Sequence, residues 1–375
     1  MLRSVVCMQG AEAAQQFYHP ERFTRRGALP LFAFKLIQDL GSVMALDGQD
    51  HRRRKEMFVS LVSPESLDRL SSLTSTHWRA AVRHWERKSQ INLLRQAYIP
   101  LCAAICEWSG LRLSERTIRR RAREFEAMID GTGSVGPRNW RGHLMRARTE
   151  KWAQDIIHEI RSGVLQVPEG SAAHVISMFR DCKGHLMDVK SAAVELINVL
   201  RPTVANARYI VFAAMALHAH PEWRERVRTS KEDLAAFVNE VRRYFPFIPL
   251  IGGHVLSEFT WRGHRFAVGD WVLFDLFGSN HHPATWGDPE VFRPDRFRER
   301  SFGPFDLVSH GAGDRCVTHR CPGEWMTIEQ VRTVVRLLVS EMRYEIPTQD
   351  LSINLSYIPA RPRSGLVLNN LRLRS

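Results

Sequence analysis

The sequence lacks the features that mark several large protein classes. No apolar run approaches the ~20 residues that cross a bilayer as a helix. The start, Met1-Leu2-Arg3-Ser4, lacks the long apolar core of a secretory signal. The chain therefore reads as cytoplasmic, without a membrane span. Its six cysteines (Cys7, Cys102, Cys106, Cys182, Cys316 and Cys321) match neither a disulfide framework nor a zinc site in spacing. There is no internal repeat, no low-complexity linker and no nucleic-acid module. The formal charge of +13 is dispersed along the chain instead of gathered in one tract. The basic stretch Arg116 to Arg123, interleaved with Ile118 and Ala122, reads as a solvated helix face. Such a balance suits an anionic ligand, a carboxylate included, without selecting one.

What is present is a chain of 375 residues, long enough to bury a large core. A short strand over 4–8 and a helix over 11–18 are expected first. Ser63-Pro64 reads as a helix start, a capping hydroxyl followed by proline at the first helical position. Amphipathic helical patterns then run to about Gly163, interrupted at Gly131 to Pro137. Val189 to His218 reads as one long apolar helix carrying two oddities, Arg201 and Pro202, and Leu234 to Tyr244 as another helix. Phe259 to Trp261, Arg265 to Val268 and Trp271 to Leu276 read as one small antiparallel sheet. A Pro-, Gly- and Phe-rich coil from His281 to Gly313 precedes a last helix from Pro322 to about Met342. Cys102 and Cys106, four apart in an apolar stretch, read as small core residues. The expected architecture is mainly α with a small antiparallel β portion, a single domain over residues 1–375.

One cysteine stands out by its neighbours, His319-Arg320-Cys321-Pro322-Gly323-Glu324. A cysteine just before a helix has its sulfur near free backbone N–H groups and the positive end of the helix dipole, which favours thiolate. Pro322 suits a position that needs no donor, and Gly323 lets a flat macrocycle approach the backbone. A thiolate held this way can donate electron density to haem iron. Alone, the motif reads better as a buried cysteine at a helix cap. Glu240-Val241-Arg242-Arg243 places Glu240 and Arg243 on one helix face, and Phe292-Arg293-Pro294-Asp295-Arg296-Phe297 follows about fifty residues later.

The order Glu-x-x-Arg, Phe-x-Pro-Asp-Arg-Phe, Cys-x-Gly resembles that of the cytochrome P-450 superfamily. The resemblance implies the cytochrome P-450 fold and haem b (iron protoporphyrin IX), with Cys321 as axial metal ligand. It also implies a buried structural triad of Glu240, Arg243 and Arg296 with no part in the chemistry. Members of that superfamily have a helix and a strand before the segment that corresponds to Cys7, so a fold lacking that N-terminal helix and first strand is expected.

The long helix points to a branch. Ordinary members carry an acid–threonine pair there to deliver protons; here Arg201-Pro202 precedes Thr203 in place of the acid. Proline inside a helix removes a backbone hydrogen bond. Arginine in an apolar stretch is costly unless it meets an anion, and a guanidinium binds a carboxylate through two parallel hydrogen bonds. The arrangement resembles the fatty-acid peroxygenase branch, and the resemblance runs from Cys7 almost to the C-terminus. It implies a catalytic pair, Arg201 holding the carboxylate of a long-chain fatty acid and Pro202 shaping the peroxide pocket. Hydrogen peroxide is the oxidant, no redox partner is needed, and oxidation falls at the α or β carbon. In Asp47-Gly48-Gln49-Asp50-His51 the branch's Asp-Gly-x-x-His segment is matched, and His51 and Lys55, joined by Arg25, are implied to meet the haem propionates. Met44 stands where decarboxylating members have histidine, and it cannot relay a proton. Met44, Ile129, Phe247 and Leu250 are the implied channel, with Thr132 and Gln38 where bulkier apolar residues are common. Thr318 replaces a glycine of the haem loop. A reductase-dependent monooxygenase and a non-catalytic haem or fatty-acid binder remain alternatives.

Overall fold

The computed structural model describes residues 4–374. Several of its helices begin where the chain offers a side-chain oxygen to the first free N–H groups. Ser63 accepts from Ser66 N (3.2 Å) ahead of Pro64–Trp85, Asp188 from Ser191 N (2.9 Å) ahead of Val189–Ala205, and Ser230 from Asp233 N (3.0 Å) ahead of Lys231–Tyr244. Each cap satisfies a donor that a helix start leaves open. Ala207–Ala219 is apolar and buried nearly all round, the mark of a core helix. With Leu93–Trp108, Glu115–Gly131 and the C-terminal helix Glu324–Ser340 it builds the main core, in which Trp78, Leu101, Phe125, Ile197, Phe212 and Val334 meet.

A second, smaller core lies under a four-stranded sheet and gathers Phe17, Phe23, Val272 and Phe274. Val308 and Ala312, just before Cys321, belong to this second core, whereas Met326 and Val331, just after it, belong to the first. Cys321 therefore sits at the seam between the two.

Two expectations are corrected. The long helix is two, Val189–Ala205 and Ala207–Ala219, parted at Asn206. Asn206 N reaches back to Thr203 O (3.3 Å) and Val204 O, and the Asn206 side chain is tied to Gln330 and Thr327 of the C-terminal helix. The strands also divide differently. Phe259–Trp261 pairs only with His264–Phe266, while Trp271–Asp275 runs antiparallel to Leu250–Val255 and parallel to Val6–Met8. Among the described residues the strand pairs are antiparallel but for this one. A further three-stranded sheet joins Gln90–Asn92, Met342–Glu345 and Val367–Leu373.

Candidate active site

Cys321 ends a loop that folds back on itself. Its N–H donates to His310 O (2.7 Å), and Gly311 (φ 87°) and Gly313 (φ 78°) take the left-handed conformations the reversal needs. Thr318, in place of a glycine, ties this loop together. Its hydroxyl donates to Ala312 O (2.7 Å) and accepts from Arg320 N (3.2 Å). The helix that follows begins at Glu324, with Gly323 at its cap. Burial pushes the Cys321 thiol up, while the Gly323 N–H and the Lys55 ammonium work toward thiolate. Although densely surrounded, the residue is only partly covered, and a Cβ at Gly323 would meet nothing nearer than Cys321 Sγ at 3.9 Å. Room is left on the sulfur's side of the loop.

Three basic side chains, Arg25, His51 and Lys55, converge beside that loop. Arg25 and His51 line, with His319 and Thr318, one cleft of roughly 70 Å³. Lys55 donates to Thr318 O (2.8 Å) and to Arg320 O, and the His51 and His319 rings stand 4.1 Å apart. His51 and Lys55 are buried, not exposed helix charge. Arg25 lies over the Phe17 ring (3.9 Å) and donates only to Phe17 O (3.2 Å), leaving Nε and Nη1 buried without a partner. Burial lowers Arg25 to about 10, Lys55 to about 8 and His51 to about 4. A partly covered sulfur beside basic side chains, Arg25 among them with unpaired donors, suits a metal macrocycle with anionic side arms. The residues fit haem.

Arg201 is 6% exposed and reaches Ile37 O, with Nε left unpartnered. Among the described residues no carboxylate pairs with it. Burial, with Arg146 adding to it, lowers the guanidinium to about 9. Its helix faces the segment 37–43 through every third or fourth residue. Glu195 accepts from Val43 N (2.7 Å) and Arg54 (2.9 Å), and Asn198 donates to Gln38 O (3.1 Å). Thr203 spends its hydroxyl on Val199 O (2.8 Å), one turn back in its own helix.

Of the implied channel residues, Ile129 is fully buried, Phe247 stacks on Tyr209 (4.3 Å), and Met44 is half-buried in the turn Val43–Ala45. Leu250, 38% exposed, is the first residue of the strand Leu250–Val255, where it pairs with Asp275. Thr132 is buried, its hydroxyl donating to Met128 O (3.0 Å).

Glu240, Arg243 and Arg296 are buried and meet one another. Arg243 grips both Glu240 oxygens at 2.8 Å, and Arg296 Nε lies 3.2 Å from the same carboxylate.

Sequence reasoning passed over a network under the cysteine loop. Glu324 accepts from Arg242 and from Arg320 (2.7 Å), and Arg242 also meets His310 Nδ1 (3.2 Å). Burial works to raise the Glu324 carboxyl, but Arg242, His310 and Arg320 hold it at about 2. Burial, then Arg242, lowers His310 to about 3. The proximity of Arg242 to the Glu-x-x-Arg pair and of Glu324 to Cys321 was the available signal. Gly253 was also missed: a Cβ there would come within 2.7 Å of Arg25 Nη1, so glycine makes room for that guanidinium.

The cytochrome P450 family model matches residues 217–366. Among curated proteins, cytochrome P450 4F2 of Homo sapiens is 28% identical over 153 residues, covering 34% of this chain and 28% of its own length. Cytochrome P450 71A8 of Mentha piperita is 22% identical over 236 residues, covering 56% and 46%. The chain thus matches less than half the length of these relatives. Solved structures match it throughout. Cytochrome P450SP alpha (CYP152B1) in complex with (R)-ibuprophen has a TM-score of 0.97 and 42% identity, covering 100% of this chain and 92% of its own. A single-substitution variant of cytochrome P450 OleT in complex with arachidonic acid has a TM-score of 0.95 and 31% identity, covering 100% and 89%.

Proposed function

Because the chain belongs to the cytochrome P450 family, whose cofactor is haem b, we propose that it is a peroxygenase, a haem-thiolate oxidoreductase that uses hydrogen peroxide to hydroxylate long-chain fatty acids at the α or β carbon. Both structural relatives named above were solved with a carboxylic acid bound. The observation that carries the reading is Arg201, a buried guanidinium with no carboxylate partner among the described residues. A substrate carboxylate there would supply the missing anion and gain two charge-assisted hydrogen bonds.

Bound haem supplies the redox chemistry, moving an oxygen atom from peroxide to a C–H bond, so that fatty acid and peroxide yield hydroxy acid and water. Cys321 would hold the iron, and Arg25, His51 and Lys55 would hold the propionates. Arg201 fixes the carboxylate, and with it the carbons next to the carboxyl group. The chain has no acid before Thr203, and the Thr203 hydroxyl is already committed to Val199 O. The fixed carboxylate stands in as the general base, taking a proton from peroxide at its oxygen and returning it to the water formed. Pro202 frees a backbone carbonyl in the wall that peroxide must approach. Met44 carries no titratable group, which favours hydroxylation over decarboxylation.

The test is a product assay on haem-loaded protein with myristic acid and hydrogen peroxide, without reductase, read by mass spectrometry. Hydroxy acids are expected, and none from Arg201→Ala. Turnover that survives Arg201→Ala, or that needs NAD(P)H and a reductase, would overturn this function.

A further inference from the structure

Several large apolar side chains left open to solvent gather on one face. Leu31 and Phe32 begin the short helix Leu31–Ile37, and Trp140 (67% exposed) and Leu144 stand one turn apart on Pro137–Arg161. These helices touch: His143 Nε2 meets Phe32 O (3.0 Å), and Leu36 packs against Gly131 and Gly142. Leu40, also exposed, borders a cleft of roughly 440 Å³ with His143 and Arg146. The loop before the longer helix extends the face through Val135 (77% exposed), and Arg138, lying over Tyr357 at 3.9 Å, brings exposed Leu355 alongside. An apolar patch of this extent on a surface marks a contact.

Its charge is of one sign. Exposed Arg141 and Arg148 flank Leu144 on its helix, and Lys35 and Lys190 border the cleft beside Leu40. Of the acids there, Arg146 engages Glu150 at 2.6 Å and Asp39 at 3.6 Å, and half-buried Glu126 feels the charge of Arg141. A second copy of the chain would set these cations against themselves in a two-fold contact. A partner with anionic charge around an apolar interior meets no such conflict, and an anionic lipid surface has that chemistry.

We propose that this face docks on an anionic lipid surface, with Trp140, Leu144, Leu31 and Phe32 entering the interface and Lys35, Arg141, Arg148 and Lys190 on the headgroup phosphates. Among the described residues no helix is long and apolar enough to cross a membrane, so the contact is peripheral. The helix Leu31–Ile37 that carries part of the patch also carries Ile37 O, the acceptor of Arg201. An amphiphile in the leaflet would thus lie against the wall of the Arg201 site. The inference goes beyond the reaction proposed above, since docking needs no turnover.

The experiment is co-sedimentation of the haem-loaded chain with vesicles of phosphatidylglycerol and of phosphatidylcholine. Binding to phosphatidylglycerol that weakens with salt is expected. The pair Trp140→Ser and Leu144→Ser should lower it ~tenfold or more, with the haem spectrum and Tm unchanged. The pair Arg141→Ser and Arg148→Ser should abolish the preference for phosphatidylglycerol. The proposal falls if wild type does not bind, if the first pair binds as wild type does, or if sedimentation velocity shows a dimer that the first pair dissolves.

Discussion

Arg243 and Arg201 are both buried arginines on core helices, and their surroundings differ in kind. The five donors of Arg243 meet five acceptors: the two Glu240 oxygens and the carbonyls of Asn280, Pro289 and Val291, at 2.8–3.3 Å. Arg201 meets one carbonyl and no carboxylate, and burial lowers its pKa. Arg25 resembles Arg201, with two nitrogens buried and unpaired. A buried charge that the fold satisfies by itself serves the fold. One that the fold leaves short is a cost that only a ligand can offset, and here both such groups lie where haem and a carboxylate are expected.

The largest effect should come from breaking the satisfied set. Glu240→Gln keeps the shape but strands two guanidiniums, so a loss of roughly 3–5 kcal/mol in urea unfolding is expected; a change below ~1 kcal/mol would mean the network is dispensable. Next is Arg201→Gln, which should leave apo-protein stability intact while weakening myristate binding by roughly 10–100-fold, with the corresponding fatty alcohol unaffected. Equal losses for acid and alcohol would show that Arg201 shapes the pocket and does not pair with the carboxylate. Arg25→Met should release haem to a competing apo-globin roughly tenfold more readily without lowering apo-protein stability.

The smallest effect is a pH dependence. His51 is lowered from 6.5 to about 4 by burial, then by Lys55 and Arg25. Between those values the unfolded chain binds the extra proton, so this histidine contributes stability that rises with pH across the window and is lost as pH falls toward 4. His51→Gln should flatten that part of the apo-protein's acid unfolding curve. Haem propionates would oppose the lowering, so loading with haem should flatten it too.

Much of this was legible beforehand because it is local. Ser63-Pro64 predicts a helix start, and one is found there with its cap formed. The extra break at Asn206 was not legible, because it depends on Gln330 and Thr327, more than a hundred residues away. The same holds for the parallel pairing of Val6–Met8 with Trp271–Asp275, since period-two patterning says that a strand exists but not which strand it joins. At the site, Cys321 was found from its immediate neighbours. The Glu324, Arg242 and His310 network beneath it was not, because no spacing rule links a helix end, a loop and a neighbouring helix.

The sequence by itself determined the ingredients: a cysteine set before a helix, an arginine–proline pair inside an apolar helix, and a Glu-x-x-Arg followed by a distant arginine. Each is a matter of residue type and short spacing, which backbone geometry turns directly into local structure. Only the tertiary structure decided which buried charges are satisfied and which are not. It set Glu240 against Arg243 and Arg296, brought Arg25 beside His51 and His319, and left Arg201 without an anion. The energy of a buried charge depends on what stands within a few ångströms of it, and residues far apart in the chain become neighbours only when the chain has folded.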